Sequence, residues 1–322
     1  MSAPANAAAS AGSPPRMTGA ALLLAIGGAV LFSSKSIFIK LAYAVPGQDG
    51  AAPVDAVTLL TLRMIFSMPF FVVIGLLAGR GGGQAALTRR DHAALIGLGL
   101  LGYYFSSYMD FIGLMYISAS LERLILYLYP TFTLLLSALL YRKKITARML
   151  VALLVCYSGV ALVFGHDLAT SNMGRQVWVG AGFVAVSALT YGLYLVTGTE
   201  VIARVGATRF TAYAMTVSSV ACIAQFFIIH PVQRLKLPME VYGYGVLLGI
   251  VSTVLPTFLT SAALKRIGAN QVSLVGAVGP ISTIALGALV LGEQINAWQA
   301  AGAALVIAGV LMITIKPKST TV

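Results

Sequence analysis

Charge is scarce in this sequence: of 322 residues, 9% are Asp, Glu, Lys or Arg, and the acids number 9 in all. Soluble domains carry about a quarter charged residues, so a soluble enzyme, a nucleic-acid-binding module and a disordered chain are excluded together. Histidine is sparse too, with 3 residues. His92, His166 and His230 stand far apart, at helix ends or in loops, without the spacing of a metal site, and no metal is expected. Cys156 and Cys222 both lie in long apolar runs, where a thiol acts as a small hydrophobe. Gly97 to Gly102 matches the GxGxxG fingerprint, but inside an apolar run with no strand before it, so the context of a dinucleotide site fails. Those glycines, like Gly245 and Gly249, instead suit close helix packing. No nucleotide-binding loop is present and no cofactor is expected. A ring of like charges or a filter-like loop is missing as well, which favours a carrier over a channel.

Apolar residues fill the rest: 59% of the chain is hydrophobic and the mean hydropathy is +0.92. A water-facing fold of this size cannot hide so many, so the solvent is a lipid bilayer. At about 20 apolar residues per crossing, the runs bounded by Gly, Pro or charge predict helices at 17–43, 55–79, 91–116, 119–141, 146–165, 177–203, 207–229, 239–264, 269–291 and 296–315. The predicted fold class is an all-α membrane protein with ten transmembrane helices. Short turns after the third, fourth, eighth and ninth predict antiparallel neighbours. Residues 1–16, rich in Ala, Ser and Pro, read as a disordered tail, and the first apolar run is too long for a cleaved signal peptide.

The formal net charge of +12 has a topological reading. With a cytoplasmic N-terminus, 14 basic residues fall in inside segments, among them Arg142, Lys143, Lys144, Lys265 and Arg266, and only Arg175, Arg234 and Lys236 fall outside. Positive residues are retained inside, so both termini are expected in the cytoplasm and the chain in the cytoplasmic membrane. No nucleic-acid partner is needed to explain the charge.

Compared with itself, the chain aligns 97–164 with 247–314 at a shift of 150 residues without gaps, with 15 identities in 68 pairs, Pro130 with Pro280 and Gly159 with Gly309 among them. This predicts two five-helix units, 17–165 and 177–315. Five is odd, so the second enters the membrane from the opposite face, an inverted repeat.

Two five-helix halves, a first helix ending in Lys40, Gly292-Glu293 after the ninth, and an Ala-x10-Pro run in the fourth and ninth (Ala119 to Pro130, Ala269 to Pro280) together resemble the EamA-type branch of the drug/metabolite transporter superfamily across 17–315. The chain departs from that pattern in having Arg142-Lys143 where members often have Gly-Glu, and Phe32-Ser33-Ser34-Lys35 where many show Trp-Gly. The resemblance implies a transporter, not an enzyme, that exports metabolites, often amino acids, from the cytoplasm.

Ionisable groups deep in a membrane cost about 2.5 to 3.5 kcal/mol each on insertion scales. Here Lys35, Lys40, Arg63, Asp110, Glu122 and Arg123 all belong to the first unit, at a shared depth in its outer half. The functional reading is that Lys35, Arg63, Asp110 and Glu122 line the outer part of a central cavity and grip a carboxylate or a proton. The structural reading pairs Arg63 with Asp110 and lets Lys40 and Arg123 snorkel to headgroups. Glu122 and Arg123 are about 100° apart on a helix, so one is expected to face inward and the other not. Spare positive charge favours zwitterions or anions over cations. Pro130 and Pro280 interrupt the fourth and ninth helices at matching positions, freeing backbone carbonyls that point to a binding site. Around them lie Tyr103, Ser107, Tyr127, Tyr191, Tyr194, Thr253, Thr257 and Thr283, hydroxyl-bearing groups suited to a solute with one polar end.

The sequence therefore reads as a secondary transporter working by alternating access on a small-molecule metabolite, driven by the solute gradient or by a proton. An exchanger of phosphorylated or carboxylate metabolites is the alternative within that class. An intramembrane lipid-modifying enzyme is the alternative outside it. The repeat makes a monomer sufficient for a pathway and leaves the oligomeric state open.

Overall fold

The computed structural model describes residues 19–47, 53–80, 87–142, 145–170 and 174–314. The tail predicted at 1–16, and Lys143 and Lys144, lie outside them. The described residues are helical and contain no strand. The first part runs α1 (Gly19–Ala44), α2 (Ala56–Arg80), α3 (Arg89–Gly99), a π-helical stretch (Leu100–Phe105), α4 (Ser106–Gly113), α5 (Ala119–Leu126), α6 (Tyr129–Tyr141) and α7 (Ala147–Thr170). The second part runs α8 (Gly174–Val205), α9 (Ala207–Ile229), α10 (Met239–Val246), a second π-helical stretch (Leu247–Val254), α11 (Leu255–Gly276), α12 (Val278–Leu291) and α13 (Ala297–Thr314). Seven helical runs are long and apolar enough to cross a membrane, and Val278–Leu291 and Ala297–Met312 are shorter apolar helices. Their outer faces carry Leu23, Leu139, Ile228 and Leu289, each 71% to 83% exposed, a belt of large apolar side chains that only lipid would cover.

Polar residues start several of these helices. Thr88 and Asp91 form a reciprocal capping box at α3, Ser118 caps α5 through the Leu121 amide, and Thr146 and Asn296 cap α7 and α13. Each satisfies an amide that the helix leaves open. Helix boundaries recur at the 150-residue shift: α3 and α10 start at 89 and 239, α5 and α11 end at 126 and 276, α6 and α12 end at 141 and 291, and α7 and α13 start at 147 and 297. Arg142 and Gly292, which follow α6 and α12, are both left-handed.

One expected loop needs correction. The predicted break at 265–268 is absent, because the backbone stays helical from Leu255 to Gly276. The chain nevertheless turns back there. The Ser34 hydroxyl meets Ser252 at 2.9 Å, a Cβ on Gly28 would sit 2.7 Å from the Thr260 hydroxyl, and the Gly279 carbonyl accepts from Ser33 at 3.0 Å. At about 1.5 Å of rise per residue a straight helix would carry Gly279 far beyond α1, so the direction reverses between Thr260 and Gly279, with two helical segments abutting.

Small residues set the helix spacing. A Cβ on Gly302 would lie 2.3 Å from Val163 and 2.6 Å from the Gly159 carbonyl, so α7 and α13 meet backbone to backbone. Gly99 abuts Ala214, Gly102 abuts the Tyr194 ring, and Gly245 and Gly249 abut Leu62, Phe66 and Arg63 of α2, whereas Gly97 meets nothing within 4 Å. The contrast makes a prediction. Gly302→Ala is expected to destabilise the purified protein by about 1–3 kcal/mol through overpacking, while Gly97→Ala, with open space and better helix propensity, is expected to be neutral or slightly stabilising. Thermal unfolding in detergent checks both. Equal melting temperatures for the two variants would contradict the close α7–α13 contact.

Candidate functional site

The hydroxyl-rich run Ser33-Ser34-Lys35-Ser36 of α1 is buried, while Phe32 before it is exposed. Against it lies α5, whose residues Ala119 to Ile125 are all buried, because α1, α7, α8, α12 and α13 all pack around it. Between these helices sits an ion network. Lys35 Nζ lies 2.5 Å from Asp110 Oδ2 and 3.4 Å from Glu122 Oε1, and the Ser36 hydroxyl donates to Glu122 Oε2 at 2.6 Å. All three charged groups are at most 5% exposed.

Among the described residues, the neighbouring cations have no carboxylate as a hydrogen-bond partner. Arg63 Nε donates to the Thr253 hydroxyl at 2.9 Å, its Nη1 donates to the Ser107 hydroxyl at 3.3 Å, and its guanidinium lies 5.6 Å from the centre of the Phe111 ring. Arg123 donates to the Ser33 hydroxyl at 3.4 Å and lies 5.2 Å from the centre of the Phe32 ring. The absence of a side chain at Gly279 makes room for its guanidinium, since a Cβ there would lie 2.5 Å from Nη2. Asp110 Oδ1 and Arg123 Nε are buried without a hydrogen-bond partner among the described residues. Five buried charged groups thus lie among these helices, three cations and two acids.

Three sequence expectations are corrected here. Asp110 is paired with Lys35 and not with Arg63, which bonds to hydroxyls instead. Arg123 does not snorkel: it is 6% exposed and points at α1. Glu122 and Arg123 both face inward, because α5 is enclosed on all sides and has no outward face.

The remaining predicted residues divide into groups. Thr283 joins the network through the Ser33 carbonyl at 3.4 Å. Tyr103 and Tyr194 share a hydroxyl contact of 3.1 Å, Tyr194 stacks on Tyr191, Tyr191 meets Tyr129 edge-on, and Tyr129 meets Tyr127. These rings form an aromatic cluster of their own. Pro130 stands just after the break between α5 and α6, and Pro280 just after the break at Ala277. Thr257 donates to the Thr253 carbonyl at 2.6 Å and lines a cavity of about 350 Å³ with Phe71, Ile74, Thr211, Ser261 and Arg266. Of the predicted set only Thr257 lines this cavity. The cavity lies toward the end of the molecule where α2 finishes and α9 begins, and the ion network lies toward the end where α2 begins. Thr253 and Thr257, one helical turn apart, connect the two.

Both π-helical stretches lie beside these groups. The first carries Tyr103, and the second carries Ser252 and Thr253, with the Thr253 hydroxyl returning to the Leu248 carbonyl at 2.8 Å. A π turn rotates the side chains that follow it and is common at functional sites. Sequence reasoning missed these turns, and it missed the contact of Glu293 with the start of α5, although Gly292-Glu293 was visible as a motif. No group of His, Cys, Asp and Glu among the described residues is placed to hold a metal.

Comparison with known proteins agrees with this architecture. The model of the EamA-like transporter family matches residues 19–165 and 178–315. The uncharacterized transporter YcbK of Bacillus subtilis is 34% identical over 282 residues, which is 85% of this chain and 86% of that protein. An uncharacterized transporter of Archaeoglobus fulgidus is 24% identical over 262 residues, 81% of this chain and 89% of that one. A crystal structure with 18% identity superimposes with a TM-score of 0.62 over 92% of this chain and 98% of its own, a likeness of fold. With most of its length matched in two successive blocks, this chain belongs to the EamA-like transporter family.

Proposed function

We propose that this multi-pass membrane transporter is a secondary carrier for small metabolites that bear a carboxylate or other anionic group, amino acids first among them. It moves them out of the cytoplasm by alternating access between two inverted five-helix halves in the cytoplasmic membrane. The reading rests chiefly on Arg63. A buried guanidinium whose hydrogen-bond partners among the described residues are hydroxyls is an open site for an anion, and its partner Thr253 lies one helical turn from Thr257 of the cavity. The recurrence of helix boundaries at a constant shift supports the two halves, and their odd helix count supports the inversion. On the orientation favoured by the basic residues, the cavity with Arg266 opens toward the cytoplasm, and the ion network lies toward the outside.

In this reading the solute enters beside Thr257, its anionic group reaches Arg63 and Arg123, and the halves rock about it. Asp110 is the candidate proton carrier, because a proton on it would loosen its contact with Lys35. The excess of buried cations also supports the second reading, an exchanger of phosphorylated or carboxylate metabolites. Both are transporter readings, and neither requires a partner subunit.

Transport into liposomes containing the purified protein tests the proposal. A panel of neutral, aromatic and acidic amino acids and phosphorylated sugars is expected to yield saturable movement of one class. Lys35→Ala and Arg63→Ala are each expected to reduce it at least about tenfold, the loss of one charge-assisted contact. No movement of any panel member would contradict the substrate class. Proton coupling is read separately. Asp110→Asn is expected to abolish uphill transport driven by a pH gradient while retaining exchange of solute for solute, and pH-driven uptake at the unaltered rate would remove Asp110 from the proton path.

A further inference from the structure

Two members of the ion network, Glu122 and Arg123, stand on α5, and a residue from the second half of the chain holds the start of that helix. Glu293 lies two residues beyond α12. Its carboxylate accepts from the amides of Ala119 at 2.8 Å and Ser120 at 3.3 Å and from the Ser120 hydroxyl at 2.6 Å. The first amides of a helix have no partner within it, and its N-terminus is partially positive, so a carboxylate suits the place.

The backbone delivers that carboxylate. Gly292 adopts a left-handed conformation with φ 67°, and the Glu293 amide returns to the Gly287 carbonyl at 3.1 Å, closing α12 with a hook. A Cβ on Gly287 would lie 2.9 Å from a Glu293 carboxylate oxygen, so glycine there leaves the contact its room. One turn further along α5 stand Glu122 and Arg123. Glu293 therefore ties the second half of the chain to the helix that bears two of the buried charges.

At the equivalent place the first half is different. Arg142, 150 residues before Gly292, has the same left-handed backbone with φ 51°, and Lys143 stands in sequence where Glu293 stands. Ala269 and Asn270 correspond to Ala119 and Ser120. An ammonium accepts no hydrogen bond and is unfavourable beside a helix N-terminus. In sequence, the repeat has a carboxylate in one half and a lysine at the corresponding place in the other.

We propose that Glu293 is a latch, a positioning residue that holds α5 against the second half and keeps the pathway closed at this end. The proposal rests on the two-half reading above, and opening at this end requires the Glu293 contact to break. It assigns Glu293 no contact with solute.

Distance measurement between spin labels tests the latch in the full chain. With Cys156→Ala and Cys222→Ala as background, labels at Met115→Cys and Ile295→Cys report on the two halves, since Met115 precedes α5, Ile295 follows Glu293, and both are exposed. The parent is expected to show one dominant short separation. Glu293→Gln is expected to raise the ratio of long to short separations about tenfold or more, the effect of losing hydrogen bonds to a charged acceptor. Ser120→Ala removes one bond without altering charge and is expected to shift the ratio in the same direction by less, which keeps the test open where Glu293→Gln folds poorly. Distributions for Glu293→Gln and Ser120→Ala that superimpose on the parent would overturn the latch. The labels report on the halves and not on the solute. A shift in a protein that moves no solute therefore keeps the latch and removes the carrier reading, and transport without a shift does the reverse.

Discussion

Burial of five charged side chains in one place is the constraint on which the surrounding structure depends. Lys35, Arg63, Asp110, Glu122 and Arg123 are each at most 6% exposed. Withdrawing a charge from water costs several kcal/mol unless opposite charges and hydrogen bonds compensate it. The compensation comes from the two acids around Lys35 and from hydroxyls on several helices: Ser33 and Ser36 of α1, Ser107 of α4, and Thr253 of the second π-helical stretch. Bonds of about 3 Å between side chains on different helices leave little freedom in helix spacing. The glycines follow from this, since Gly249 lets the second π-helical stretch lie against the Arg63 carbonyl at a Cβ distance of 2.9 Å, and Gly279 admits the Arg123 guanidinium.

Interrupted helices serve the same end. The breaks before Pro130 and Pro280 and the two π-helical stretches leave parts of the backbone outside regular α-helical bonding, which a membrane tolerates only where protein or a wet cavity faces them. Here they border the buried charges, the aromatic cluster and the cavity. A network with more cations than acids, joined through Thr253 and Thr257 to a largely apolar cavity that also carries hydroxyls and Arg266, is the basis of the proposal of a small solute with an anionic end. That arrangement connects the packing to the transport proposed for this family member.

Much of this was legible in the sequence. Apolar run lengths gave helix positions to within a few residues for most elements, since a bilayer imposes length and composition together. The 150-residue self-alignment anticipated helix ends such as Tyr141 and Leu291. The rarity of charge in apolar runs singled out Lys35, Arg63, Asp110 and Glu122, because such residues need a reason to be there. Their partners were not legible. Periodicity says which residues share a face, but whether Asp110 meets Lys35 or Arg63 depends on how far each helix is rotated, and a π turn alters that rotation. Arg123 was misread because the adjacency rule assumes a helix with an outward face, and α5 has none. The role of Glu293 depends on a contact spanning 174 residues of chain, and no local pattern encodes that.

On the alternating access proposed above, Thr253, which accepts from Arg63 and whose carbonyl accepts from the cavity-lining Thr257, is exposed to each side of the membrane in turn. The direct measurement is the reactivity of a single cysteine at this position, Thr253→Cys in a background lacking Cys156 and Cys222, toward a membrane-impermeant thiol reagent applied to right-side-out and inside-out vesicles. The account predicts modification from both faces, with each rate changed when a transported solute is added. Modification from one face only, under every solute and gradient, would contradict it.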